Sequence, residues 1–534
     1  MVKSSKFILF FMVLIAVCVQ LFLFEQKEVF HIDELFSFAL ANGENGIYLY
    51  HNADEINDKA LKGEVFRKYL TQGDNTSFST MWHNLSGDTH MPLYFVLLRA
   101  VCSFFNPFVF TEVPGIIINI LLLCGLLLSF YGLAKSVLKK DIFALLTLGV
   151  LTFSYAVLSL EIYIRMYLLQ MFLSVLLVWN VVELLKKDKE IFGICDLIYL
   201  FLLVVLNILC HYYSIIFCFA VAFCGCLILL ASKKIKQMFW VGCTMLLAVI
   251  AAYLIYPEML KVGMYGERGA QFFALLGNLF DDFWEIFWRQ FVITGETLFS
   301  NLYIEAVITG LCLYSFYVIK NKNQKCLMLF FMGVFVLYSF VVGLVMPRMV
   351  GFQIRYFAPV IPIGMLILVM SVLVLCKCFK IKKQYIYLFL VAGILFEITV
   401  ALFRKGNTFY FIGTRESRKM ERLVKNADIW WALGGGQMYA WIIHIYVDKL
   451  IDADEVWMLN DYDSEAFKKF AEDEKNKGKY AYLLLPKLQE SVPEGAVEWV
   501  KDTTGRQAYY LFTVKNDKMS AMVFEASVFL VCPF

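Results

Sequence analysis

Short clusters of polar residues interrupt an otherwise apolar sequence, and their types are those of acid–base and charge-stabilising chemistry. The first is HIDELFS, with His31, Asp33 and Glu34 directly after an N-terminal apolar run. A carboxylate beside a bilayer sits in a reduced dielectric, where burial and neighbours tune it toward general-base work. The same pair also suits the cap of a helix lying in the interface. SGDTHMPLY sets Asp88 and His90 before a further apolar segment, either as a functional pair or as a helix cap with a surface histidine. In SLEIYIRMY, Glu161 and Arg165 share a face at i,i+4 if the stretch is helical, and an arginine at a membrane boundary needs such a partner or must snorkel. Tyr167 closes that stretch. His211, Tyr212 and Tyr213 form a compact turn that suits an aromatic belt or a binding site. Arg355 and Tyr356 open RYFAPVIP, as an anchor or as ligands.

The elements that must hold these residues are membrane helices. With 60% hydrophobic and 17% charged residues and a mean hydropathy of +0.68, the 534-residue chain has more apolar surface than water can solvate. Stretches able to cross about 30 Å of hydrocarbon occur near 7–24, 114–134, 141–158, 166–185, 192–210, 213–231, 238–256, 301–320, 326–346, 357–376 and 384–403. They predict a mainly α, polytopic fold of about eleven spans. Lysine clusters near 139, 186, 233, 322 and 380 occupy every second loop, which places the N-terminus in the cytoplasm. Lys3 and Lys6 precede the run from Phe7 to Phe24 without a small-residue cleavage site behind it, so an uncleaved first helix is expected. The segment from Met91 to Phe110, with Pro92, Arg99 and the Asn106–Pro107 break, is expected to lie in the interface.

Every polar cluster then falls on the outer side, in a first loop at 25–113 or in the turns at 159–165, 211–212 and 347–356. Residues 1–403 read as the membrane domain and 404–534 as a small extracytoplasmic α/β domain. In the latter, apolar runs (Ala481 to Leu485, Ala508 to Val514) alternate with an amphipathic stretch (Ser464 to Lys475). The closing run from Met522 to Phe534 is too short to span. The 14 cysteines lack framework or metal-ligand spacing and read as small hydrophobes. A net charge of +3, spread over short clusters, gives no nucleic-acid footprint.

Taken in order, these clusters resemble the GT-C membrane glycosyltransferases, in the branch with protein O-mannosyltransferases and the lipid A aminoarabinose transferase. The resemblance rests on Asp33–Glu34, the G-D-T-H-x-P-L-Y segment (Gly87 to Tyr94), R-M-Y (Arg165 to Tyr167), HYY (211–213) and R-Y-x-x-P-x-x-P (Arg355 to Pro362), over roughly residues 1–403. Met91–Pro92 replaces a Pro-Pro pair common in the family, and Glu161 lies four residues before Arg165 where the family has a compact Q-E-A-R-M-Y. The resemblance implies transfer of a sugar from a polyprenyl phosphate to a protein, lipid or polysaccharide acceptor at the outer face of a plasma membrane. The low proline count and abundant Phe, Ile and Lys suggest that this membrane is bacterial. It further implies Asp33 as the base, with Glu34 beside it as an orienting acid. Asp88, His90, Glu161, Arg165, Tyr167, His211, Tyr212, Arg355 and Tyr356 would bind the donor phosphate or the substrate. No cofactor is required on this reading, although the two acids offer a divalent metal a place.

Three other classes have this topology, and one of them, a non-catalytic scaffold, gives no reason for arginine, histidine and acid to gather on one face. A secondary transporter needs charges or Gly/Pro breaks deep in its helices and internal repetition, and the sequence shows little of either. An envelope polysaccharide polymerase or ligase is chemically close to the first reading.

Overall fold

In a computed structural model, the described residues are 2–27, 30–47, 59–73, 76–88, 90–187, 192–260, 283–294, 302–345, 353–403, 419, 422–424, 429–433, 448–459, 464–487, 495–516 and 524–533. The chain divides into two compact units. One comprises Met1–Phe22, Asp88–Tyr94 and Ile116–Phe409, and the other Leu23–Gly87, Phe95–Gly115 and Tyr410–Phe534.

The first unit is a helical membrane bundle. Each apolar stretch of the sequence carries a helix. Among the described residues, seven helices are long and apolar enough to cross a membrane, or eight if the bent pair Asp141–Thr152 and Tyr155–Glu161 is one span. Ile194–Cys210, Glu305–Val318 and Gln384–Thr399 are apolar but shorter. The first of these ends early because His211 adopts an extended backbone, at φ −160° and ψ 145°, and starts the next helix. The 63° bend of the pair also has a local cause. Ser154 accepts from the Val157 N–H as an N-cap at 3.3 Å, and Glu397 reaches the Tyr155 N–H at 3.5 Å. Lys139, Lys233 and Lys380 hold positive φ just after three helix ends. Three of the five lysine-marked loops therefore close on a left-handed residue, a conformation that costs a non-glycine residue about 1–2 kcal/mol.

The second unit is built on a six-stranded sheet. Its strands are β1 (Lys59–Leu61), β2 (Ile429–Leu433), β3 (Val456–Leu459), β4 (Ala481–Lys487), β5 (Ala508–Asn516) and β6 (Phe524–Val531), ordered β1-β3-β2-β4-β6-β5. The central strands β3, β2 and β4 run parallel, and β1, β6 and β5 are antiparallel to their neighbours. Helices Ser464–Glu472 and Ala496–Thr504 cover one face, burying Trp431, Trp457, Phe467, Val500 and Phe529. Arg506 is buried there over the Trp431 ring and donates to the carbonyls of Cys532 and Lys479.

Two features of this sheet were not anticipated. The closing apolar run supplies β6, which lies between β4 and β5. The first loop supplies β1, pairing Lys59–Leu61 with Val456–Met458. Gly63 follows β1 and its N–H bonds the Ala453 carbonyl at 2.9 Å. A Cβ at Gly63 would lie 2.3 Å from the Ile451 oxygen and 2.6 Å from the Ala453 oxygen, so only glycine allows this approach.

Candidate functional site

The frame of the site in the first unit is the irregular stretch between helices Tyr155–Glu161 and Tyr167–Lys186. A helix end leaves its last carbonyls without partners. Here two buried amides take them. Asn119 Nδ2 donates to the carbonyls of Glu161 and Tyr163, both at 3.0 Å, and Gln20 Nε2 donates to that of Glu161 at 2.8 Å. The chain is thereby held in a non-helical course.

Glu161 and Arg165 could pair at i,i+4 only in a helical stretch, and residues 162–166 are not helical. The guanidinium of Arg165, fully buried, instead donates from Nη2 to His90 Nε2 at 2.6 Å. Both Glu161 carboxylate oxygens are buried without a hydrogen-bond partner among the described residues. Because arginine can only donate, His90 Nε2 must accept, and the imidazole proton sits on Nδ1. That proton is donated to Asp88 Oδ2 at 2.8 Å. Asp88, His90 and Arg165 thus form one chain of charge-assisted hydrogen bonds. Tyr256 belongs to the same neighbourhood. It is fully buried, with Tyr212, Asp88 and Glu258 nearby.

Arg355, also buried, lies on the short 3-10 helix Gln353–Phe357. It donates to the hydroxyls of Tyr163 at 3.3 Å and Tyr356 at 3.0 Å, and its guanidinium lies 4.9 Å from the Tyr356 ring centroid. The rings of Tyr167, His211, Tyr213 and Tyr356 form a closed cycle of contacts at 5.1–6.3 Å, and Tyr163 stacks on Tyr167 at 5.7 Å. His211 is fixed by its N-cap role, accepting from the Tyr213 N–H at 3.1 Å. Tyr356 is fixed through its carbonyl, which accepts from the Tyr338 hydroxyl at 2.6 Å.

The structure therefore gathers Asp88, His90 and Arg165 in one array and Tyr167, His211, Arg355 and Tyr356 in another, within the same unit. Tyr213, not Tyr212, joins the ring cycle, and the Tyr212 hydroxyl is buried without a hydrogen-bond partner among the described residues. Tyr163, Tyr338, Gln20 and Asn119 were not read as site residues. Gln20 and Asn119 did carry a signal, since each is an amide inside an apolar span, where a polar side chain needs a reason.

Asp33 and Glu34 belong to the second unit, in the first turn of helix Ile32–Asn42. Glu34 is fully buried. One of its oxygens is ion-paired with Lys27 Nζ, and the other accepts from the His31 N–H at 2.8 Å. Its partner in the cap, His31 Nδ1, accepts from the Asp33 N–H at 2.9 Å. The Asp33 side chain keeps 23% of its exposure. With both Glu34 oxygens engaged, the acid pair does not fit as a two-carboxylate metal site. Among the described residues no group of three or more His, Cys, Asp or Glu is arranged to hold a metal ion.

No family profile matches the sequence, and no curated protein matches it. Solved structures do resemble it. ArnT from Cupriavidus metallidurans, bound to undecaprenyl phosphate, is similar over 97% of this chain and 97% of its own, at 11% identity and a TM-score of 0.46. An oligosaccharyltransferase from Archaeoglobus fulgidus, in complex with zinc and sulfate, is similar over 88% of this chain and 67% of its own, at 13% identity and a TM-score of 0.42. The archaeal oligosaccharyltransferase AglB from Archaeoglobus fulgidus, in complex with an inhibitory peptide and a dolichol-phosphate, covers 90% of this chain and 69% of its own, at 12% identity and a TM-score of 0.39. These likenesses are loose, and the functional reading rests on the residues above.

Proposed function

We propose that this chain is a GT-C membrane glycosyltransferase. It moves a sugar from a polyprenyl-phosphate donor to a hydroxyl or amine of a cell-envelope acceptor, at the outer face of the membrane. The observation that carries the reading is the pair of buried guanidiniums, Arg165 and Arg355, set among tyrosine hydroxyls and imidazoles at the helix ends of one unit. Buried cations at a membrane boundary are costly unless they serve an anion.

A polyprenyl phosphate is the anion that suits them. Its second pKa is about 6, so it leaves as the dianion and needs positive charge, not a proton. Arg165 and Arg355 would neutralise that charge as it develops, with the hydroxyls of Tyr163, Tyr167 and Tyr356 as further donors. The Asp88–His90 pair would fix the plane of the Arg165 guanidinium. Asp33 would take the acceptor's proton while the acceptor oxygen or nitrogen bonds to the anomeric carbon and the bond from that carbon to the phosphate oxygen breaks. In-line displacement of this kind inverts the anomeric centre.

The test is release of polyprenyl phosphate from radiolabelled undecaprenyl-phosphate sugars in nanodiscs, with envelope extract as acceptor. Wild-type turnover that falls at least about 100-fold in Asp33→Asn, at unchanged thermal stability, supports the base. Full activity in Asp33→Asn refutes it.

A further inference from the structure

We propose that Lys27 is a positioning residue for Asp33, acting through Glu34. The inference rests on the reading of Asp33 as the base. Lys27 lies two residues past the first helix, Val2–Glu25, yet its side chain is only 2% exposed and packs against the rings of Phe30, at 4.9 Å, and Phe24, at 5.8 Å. Burial lowers its pKa, and the Glu34 carboxylate opposes that shift. A lysine is seldom buried without a task for its charge.

Here that task is to hold Glu34. The Glu34 carboxylate is buried completely, and among the described residues its anchors are the Lys27 ammonium and the His31 N–H. The second anchor closes a reciprocal cap. His31 Nδ1 takes the Asp33 N–H, and the Ser37 hydroxyl donates to the Asp33 carbonyl at 2.9 Å. Backbone atoms on both sides of the Asp33 side chain are thus fixed, and of the two adjacent acids only Asp33 keeps side-chain exposure, 23% against 0% for Glu34. Remove the ammonium, and an ionised carboxylate is left buried without the cation it pairs with. It must then seek water, and it takes the helix start with it.

The experiment compares Lys27→Met, Glu34→Gln and the double variant in nanodiscs. Turnover of an undecaprenyl-phosphate sugar is measured alongside hydrogen exchange of the amides of Asp33 to Leu35. Lys27→Met is expected to lower kcat by about 10-fold to 100-fold with KM for the donor unchanged within about twofold, as for a misplaced reacting group. The same variant should exchange those amides faster. The double variant is expected to recover most of both, because the Gln amide oxygen can still accept from the His31 N–H and neither position 27 nor position 34 then carries a charge. If the double variant stays as impaired as Lys27→Met, the ammonium acts on substrate directly and the positioning role is wrong. Wild-type exchange and turnover in Lys27→Met also overturn it. Should Asp33→Asn retain activity, the base assignment fails on its own, and the exchange measurements still decide whether Lys27 fixes this helix start.

Discussion

Replacing His90 by Phe tests the array on which the anion site depends. The imidazole bridges two ions, accepting from Arg165 at 2.6 Å and donating to Asp88 at 2.8 Å. Phe keeps a ring and removes both bonds. A hydrogen bond to a charged group contributes about 1.5–3 kcal/mol, so the two together set an upper bound of about 3–6 kcal/mol. The Arg165 end bears its full share, because the guanidinium is 1% exposed and water cannot replace the imidazole. The Asp88 side chain keeps 12% of its exposure, so water recovers part of the other share. The expected net loss is about 2–4 kcal/mol. Since each kcal/mol moves the midpoint by about 2–4 °C in domains of 150–250 residues, and by less in larger ones, Tm should fall by several degrees. Intrinsic tryptophan fluorescence of the protein in nanodiscs reads that shift. His90→Gln retains one acceptor and one donor and should recover at least half of it. A loss below about 0.5 kcal/mol in His90→Phe, typical of an unremarkable surface position, would refute the array. So would a His90→Gln variant as unstable as His90→Phe.

Three further outcomes are expected. Arg355→Lys replaces the planar fork whose two nitrogens reach the Tyr163 and Tyr356 hydroxyls by a single ammonium, and should lower kcat/KM for the donor by about 10-fold to 100-fold while the protein stays folded. Equal activity would remove Arg355 from the phosphate site. Gly63→Ala drives a methyl into two carbonyl oxygens and should cost about 1–3 kcal/mol, seen as faster proteolysis in the first loop with the membrane helices intact. Wild-type resistance would mean that β1 does not pair as described. Turnover, once established, should persist in EDTA, because both Glu34 oxygens are occupied by Lys27 and His31. Loss in EDTA with rescue by a divalent ion would overturn the metal-free scheme.

Much of this protein was legible from local pattern alone. Hydropathy is a property of contiguous residues, so each apolar stretch became a helix, and the runs at 481–485 and 508–514 became β4 and β5. Residue type also marked Arg165, His90, His211 and Arg355 as unusual, because charged or titratable groups beside hydrocarbon are expensive wherever they point. What spacing could not supply was partners. Glu161 sits at the right interval to pair with Arg165, yet Asn119 and Gln20, distant in sequence, hold the intervening carbonyls and end the helix between them. Arg165 then meets a histidine 75 residues away. The same applies in the second unit. β1 is a three-residue strand with no signal of its own and exists only because β3, some 400 residues later, offers an edge. The acid pair at 33–34 looks symmetrical in sequence, and tertiary packing separates the two carboxylates, burying Glu34 against Lys27 and the His31 N–H while Asp33 stays partly exposed. Sequence determines which groups are costly to bury. Long-range packing decides which neighbour offsets the cost, because that neighbour is brought close only when distant segments fold together.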